Sequence, residues 1–137
     1  MSARDVRIAE IWSALAGLVL QEDRRRRVSD ELGISFYRAK VLRRLLAGPT
    51  SMRDLALRLT TDKANLSGAV DDLEGLGLVE RSVDPDDRRV RRLALTPAGR
   101  KVARRAEQIM SEPPAGFAGL SERDLAQLER ILAKLSP

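Results

Sequence analysis

The sequence predicts a mainly α chain with one small β-hairpin, and three observations carry that expectation. Apolar residues recur at helical spacing through most of the chain. Glycines and prolines punctuate them at short intervals. One stretch, residues 79–95, alternates as strands do around a polar tip. At 137 residues the chain has room for one modest core and not for two.

Taken in order, Ile8, Ile11, Trp12, Leu15, Leu18 and Val19 predict one long first helix over about residues 4–27, ending in Arg24-Arg25-Arg26-Arg27. Cations there complement the negative end of the helix dipole; contact with phosphate or an effector is the alternative. Gly33 interrupts, Ser35 caps, and Tyr37, Val41, Leu42, Leu45 and Leu46 give a second helix that stops at Gly48-Pro49. Thr50 or Ser51 caps a short third helix whose inner face is Met52, Leu55, Ala56 and Leu59. Thr60 and Thr61 supply a turn and cap before a fourth helix with Leu66, Ala69, Val70 and Leu73 turned inward. Two short helices joined by a tight polar turn read as helix-turn-helix.

Gly77 ends the fourth helix. Val79, Arg81 and Val83, then Leu93 and Leu95, alternate as two antiparallel strands around a tip at residues 84–90. Thr96-Pro97 starts a fifth helix with Val102, Ala103, Ala106, Ile109 and Met110 inward, and Pro113-Pro114 stops it. Ser121-Glu122-Arg123-Asp124 resembles a capping box and opens a sixth helix carrying Leu125, Leu128, Ile131, Leu132 and Leu135. The fold class is therefore a winged helix-turn-helix domain over about residues 30–96, with a small β-hairpin wing. Terminal dimerisation helices occupy about 4–27 and 97–137, all within a single domain, 1–137. Both end helices carry full apolar stripes that a small lobe has little surface to cover. A two-fold dimer built from them is expected, and pairing of the two within one subunit is the alternative.

Cysteine and histidine are absent, which excludes disulfides, thiol sensing, Cys/His zinc sites and histidine acid–base catalysis. No glycine-rich phosphate loop or clustered metal-ligand pattern is present, and no serine has a histidine to activate it, so neither an enzyme nor a cofactor is expected. The longest apolar run, near Ala14–Leu20, is too short to span a bilayer and the start lacks a signal-peptide pattern, so a cytoplasmic protein is expected. The chain carries +5 overall, yet between Arg81 and Arg105 nine arginines and lysines meet only Asp84, Asp86 and Asp87, a local excess of +6. Charge concentrated in this way suits a polyanion.

On a helical wheel the direction opposite the fourth helix's core stripe holds Thr61, Ala64, Gly68 and Asp72, flanked by Asn65 and Ser67. Small residues there let the backbone sit close to the floor of a DNA groove, Ala64 suits a thymine methyl, and Asn65 suits a base edge. Lys63 lies to the side, where a phosphate is the natural partner. In the hairpin, Asp86-Asp87-Arg88-Arg89 puts guanidinium groups at a tip narrow enough for the minor groove, with Asp87 placed to hold an arginine. Arg100, Lys101, Arg104 and Arg105 sit on the outer rows of the fifth helix, as a solvated face or as auxiliary phosphate contacts. Trp12 and Tyr37 are either core residues or, beside Arg38, walls of a pocket for an aromatic acid.

The stretch LEGLGLVER (residues 73–81), then DPDDRR (84–89) leading to LALTPAGR (93–100), resembles the MarR family of winged-helix transcriptional regulators, and GLSERDLAQLERILAKL is similar to its closing helix. The resemblance covers nearly the whole chain. It implies a homodimer whose first, fifth and sixth helices form the interface, bound to double-stranded DNA at a pseudo-palindromic operator. It further implies that Arg89 is the wing arginine that enters the minor groove, that Asp87 orients it, and that Lys63, Ala64, Asn65 and Ser67 form the base-reading stretch. Gly68 stands where many relatives carry a larger, often basic residue. Small anionic, often phenolic, effectors that relieve repression are implied as well. The competing reading from the residues is a winged-helix module that offers its basic hairpin to an acidic protein and has no operator.

Overall fold

The computed structural model describes residues 1–20, 22–61 and 63–137. Among these, the order is α1 (Ala3–Val19), α2 (Glu22–Leu32), α3 (Phe36–Leu45), β1 (Thr50–Ser51), α4 (Met52–Leu59), α5 (Lys63–Gly75), β2 (Val79–Val83), β3 (Arg91–Leu95), α6 (Pro97–Ser111) and α7 (Glu122–Leu135), with a 3-10 turn at Ala115–Gly119. Ser35, Ser51, Thr96 and Ser121 accept the backbone N–H three residues on, each at the helix start its sequence position signals. Ser121 and Asp124 complete a capping box.

The long first helix expected over residues 4–27 is instead two helices, α1 and α2. Leu20 ends the first, with its N–H on the Ala16 carbonyl. No proline or glycine marks this break; the two halves have different faces to serve. At 3.6 residues per turn, Val28 and Leu32 point roughly two-fifths of a turn away from the Ile8/Trp12/Leu15/Val19 stripe. Val28 is fully buried and Leu32 packs on the core, which fixes α2 against α3 and α6. The four arginines consequently lie in the first half of α2 and do not end a helix. They complement a helix C-terminus all the same, that of α6: Arg24 donates to the carbonyls of Met110, at 3.1 Å, and of Glu112.

A single apolar core runs through α2, α3, α4, α5, α6 and the sheet, with Leu42, Leu45, Leu55, Leu66, Leu73, Leu93 and Ile109 at or near zero exposure. Each such side chain contributes roughly 1.5–3 kcal/mol by leaving water. Between α4 and α5 the chain reverses through Thr60, whose φ of 51° puts a β-branched residue in the left-handed region. The turn is held by the N–H groups of Thr60 and Thr61, which reach back to the last carbonyls of α4.

The sheet has three antiparallel strands in the order β1-β3-β2, where two strands were expected. The additional strand is only Thr50 and Ser51, opposite Leu93 and Arg92, too short to carry a period of its own. The wing strands pair in register, Val79 with Leu95 and Val83 with Arg91. At their base Gly77, φ 72°, makes the turn out of α5, and Thr96 donates its hydroxyl to the Gly77 carbonyl at 2.6 Å. Gly99 sits against this turn so closely that a Cβ would stand 1.7 Å from the Leu78 carbonyl oxygen.

Helices α1 and α7 bury no residue. Ile8, Ile11, Trp12 and Val19 on the first, and Ile131, Leu132 and Leu135 on the second, are all exposed. The end helices therefore leave their stripes open and do not cover each other within one chain.

Candidate nucleic-acid interface

Helix α5 turns Leu66, Ala69, Val70 and Leu73 into the core and leaves Ala64, Asn65 and Gly68 exposed, with Ser67 half-buried at the edge. Nothing lies within 4 Å of where a Gly68 side chain would begin, so the backbone is bare to solvent there. Lys63 opens the helix, and its side chain lies outside what the structure describes. Thr61 is half-buried and does more than face outward: the Tyr37 hydroxyl donates to its Oγ1 at 3.2 Å, tying the turn to α3.

The wing tip is built from two short carboxylate-to-backbone turns. Asp84 Oδ1 accepts the Asp86 N–H at 2.8 Å, and Asp87 Oδ1 accepts the Arg89 N–H at 3.0 Å. The same Asp87 oxygen accepts Arg89 Nε at 3.2 Å. Closing bonds run from Asp84 N–H to the Val90 carbonyl and from Val90 N–H to the Asp87 carbonyl. Arg89 is thus 91% exposed along its side chain while held at its root. Arg88 beside it is exposed as well. The arrangement projects a cation from a thin ribbon without letting it collapse onto the surface, which is what insertion into a narrow anionic groove requires.

Sequence reasoning missed how the acids of α5 are handled. Arg81, on β2, bridges Asp71 at 2.7 Å and Glu74 at 3.6 Å, while Arg38, on the first turn of α3, bridges Asp72. Exposed pairs of this kind add only ~0–1 kcal/mol each to stability. Their larger effect is to cancel negative charge beside the open face of Ala64, Asn65 and Gly68. Alternation already marked Arg81 as a strand residue, but nothing local in the sequence pairs Arg38 with a residue 34 positions away.

The pocket expected from Trp12, Tyr37 and Arg38 does not form within the chain. Tyr37 and Arg38 line an open cleft of about 690 Å³ together with Thr61, Ala64, Asn65, Gly68 and Asp72 of α5 and the turn before it. Trp12 is 69% exposed on the outer stripe of α1, carried off by the break at Leu20. A different hollow, about 290 Å³, lies between Val19, Leu20, Arg24, Arg25, Phe36, Lys40, Arg43 and Met110, an apolar floor ringed by four cations. The Arg25 guanidinium stands 4.9 Å over the Phe36 ring. Arg43 is also bonded to Glu107, whose carboxyl lies below its ordinary range because Arg43 and then the Ser111 hydroxyl donate to it. Glu112 is lowered likewise, first by the hydrogen bond from Arg27. On the fifth predicted helix, α6, Arg105 is tied to Glu31 at 2.5 Å, whereas Arg100, Lys101 and Arg104 are exposed.

Among the described residues no helix is long and apolar enough to cross a membrane, and no cluster of metal-ligating side chains occurs. Residues 32–90 match the family model described as MarR family. The transcriptional regulator BldR from Sulfolobus solfataricus superposes with a TM-score of 0.71 at 26% identity, over 98% of this chain and 99% of that one. Wild-type MarR from E. coli, in its apo form, gives 0.72 at 25% identity over 91% and 96%. A mutant MarR from E. coli complexed with operator DNA gives 0.65 at 25% identity over 91% and 93%. The family match spans the helix-turn-helix and wing tip, the fold match extends over the end helices, and the chain is similar in both to winged-helix proteins of the MarR family.

Proposed function

We propose that this protein is a homodimeric DNA-binding transcriptional regulator, a repressor of nearby genes that a small anionic ligand relieves. The observation that carries the DNA reading is Arg89, 91% exposed at the wing tip and oriented by Asp87, beside a helix face of Ala64, Asn65 and bare Gly68 backbone. A module that docks an acidic protein has no need of a small-residue face next to a projected arginine. The neighbouring fold complexed with operator DNA is in keeping with this use. In this reading α5 enters the major groove with Ala64, Asn65 and Ser67 toward base edges and Lys63 toward a phosphate, while Arg89 and Arg88 reach the flanking minor groove.

The open stripes of α1 and α7 support a dimer, because apolar faces of that length are seldom left in water. The cation-ringed hollow between Leu20, Phe36 and Met110 suits a ligand with an apolar body and one negative group, and it replaces the Trp12/Tyr37/Arg38 pocket as the place to look. A gel shift with duplexes from upstream of the protein's own gene tests the reading. Retention of one duplex against excess scrambled competitor is the expected result. Equal competition by the scrambled duplex, or no shift at all, overturns it in favour of the protein-docking module.

A further inference from the structure

Asp72 lies on the reading face itself, one turn beyond Gly68, with its side chain 59% exposed. A carboxylate there stands where phosphates pass when α5 enters a groove. Its partner, Arg38, is the third residue of α3, where the positive end of the helix dipole disfavours a cation. Local chemistry gives no reason for an arginine at that position; tertiary chemistry does. The guanidinium donates to the Asp72 carboxylate and, at 3.1 Å, to the Ser35 hydroxyl that caps α3. One residue earlier, Tyr37 fastens the same turn to Thr61. The first turn of α3 therefore grips the reading segment at both ends, at its entry and just past Gly68.

We infer that Arg38 is a positioning residue for DNA binding. It discharges Asp72 and so sets the C-terminal limit of the surface that α5 presents to the duplex. The inference rests on the DNA-binding reading above. It assigns Arg38 no contact with DNA: its guanidinium is already committed to Asp72 and Ser35, and its effect reaches the duplex through the charge it cancels.

Fluorescence anisotropy with labelled duplexes of about 30 base pairs, long enough for two half-sites, tests this. One is drawn from upstream of the gene and the other is scrambled. Arg38→Gln should weaken both duplexes by about fivefold, because an uncancelled charge acts through space and carries no sequence information. Arg38→Gln combined with Asp72→Asn should return affinity to within about twofold of the parent, and Arg38→Lys should do the same, since each restores the balance of charge. Both sites are exposed enough that thermal melts of all variants should stay close to the parent's. A double variant as weak as Arg38→Gln, with a logarithmic salt slope smaller by about 1.8 over the two half-sites, overturns the inference, because Arg38 then touches a phosphate directly. Unchanged affinity in Arg38→Gln overturns it too, leaving the pair as solvated surface. A parent protein that binds neither duplex overturns the DNA reading itself, a failure recognisable because it is common to every variant.

Discussion

Replacing Asp87 with alanine sets two effects of opposite sign against each other, and their magnitudes decide the outcome. The carboxylate accepts both the backbone N–H and Nε–H of Arg89, so its loss frees the side chain that the proposed function places in the groove. An arginine side chain carries ~2 kcal/mol of rotamer entropy; a partner that holds only the root and Nε removes about half of it, so the unrestrained arginine costs ~1 kcal/mol more to order on DNA. Deleting the negative charge helps binding. At ~7 Å in water a unit charge repels a phosphate by ~0.6 kcal/mol, and screening at 0.15 M salt leaves ~0.25. Entropy wins by about 0.75 kcal/mol per half-site, or roughly tenfold over two half-sites at 0.15 M salt. At about 10 mM salt the repulsion recovers to ~0.5 kcal/mol and the defect shrinks. Anisotropy titrations at both salts measure this directly. Tighter binding by Asp87→Ala at 0.15 M salt refutes the orienting role and leaves Asp87 as a turn residue alone.

Gly68→Ala should raise the stability of the free protein by up to ~1 kcal/mol, since the site is helical and open, while weakening operator binding because the backbone there approaches the groove floor; a stabilised variant with parent affinity would show that no close approach occurs. Gly99→Ala should cost ~3 kcal/mol or more in urea unfolding, because the only space for the methyl is occupied by the Leu78 backbone, and a loss below ~1 kcal/mol would mean that the turn out of α5 yields easily. Glu107 and Glu112 are held below the ordinary glutamate range, so the stability they add is complete above about pH 4.3 and is lost as pH falls through their lower folded values. The melting temperatures of the parent and of Glu107→Gln/Glu112→Gln should accordingly differ at neutral pH and draw together as the pH falls below the ordinary glutamate range; a gap that does not narrow in acid contradicts the ion pairs.

Where local chemistry decides structure, the sequence was readable. Hydroxyl caps at Ser35, Ser51, Thr96 and Ser121 placed four helix starts, and alternation around residues 84–90 placed the wing. What escaped it was set by contacts between distant residues. The break at Leu20 has no local breaker and follows from burying Val28 on one side while the α1 stripe faces another. Strand β1 exists only because β3 lies opposite it. The Arg24–Arg27 run looks like a solvated helix end until the end of α6 is brought to it from 86 residues away. Arg38 beside an aromatic residue suggests a ligand wall, yet its charge is taken by Asp72. Within the candidate site, spacing placed Asp87 to hold an arginine of the wing, the family resemblance singled out Arg89, and helical spacing gathered Ala64, Asn65 and Gly68 on one open face. The counter-charges on the acids of α5 depend on tertiary pairing.

Hydroxyl-radical footprinting of the upstream duplex, with the parent protein and with Arg89→Ala, tests the central claim most directly. Two reading helices and two wings related by a dyad should give protections symmetric about one centre, with the outermost, minor-groove protections selectively lost in Arg89→Ala. Protection without symmetry, or a footprint that Arg89→Ala leaves unchanged, would contradict the account.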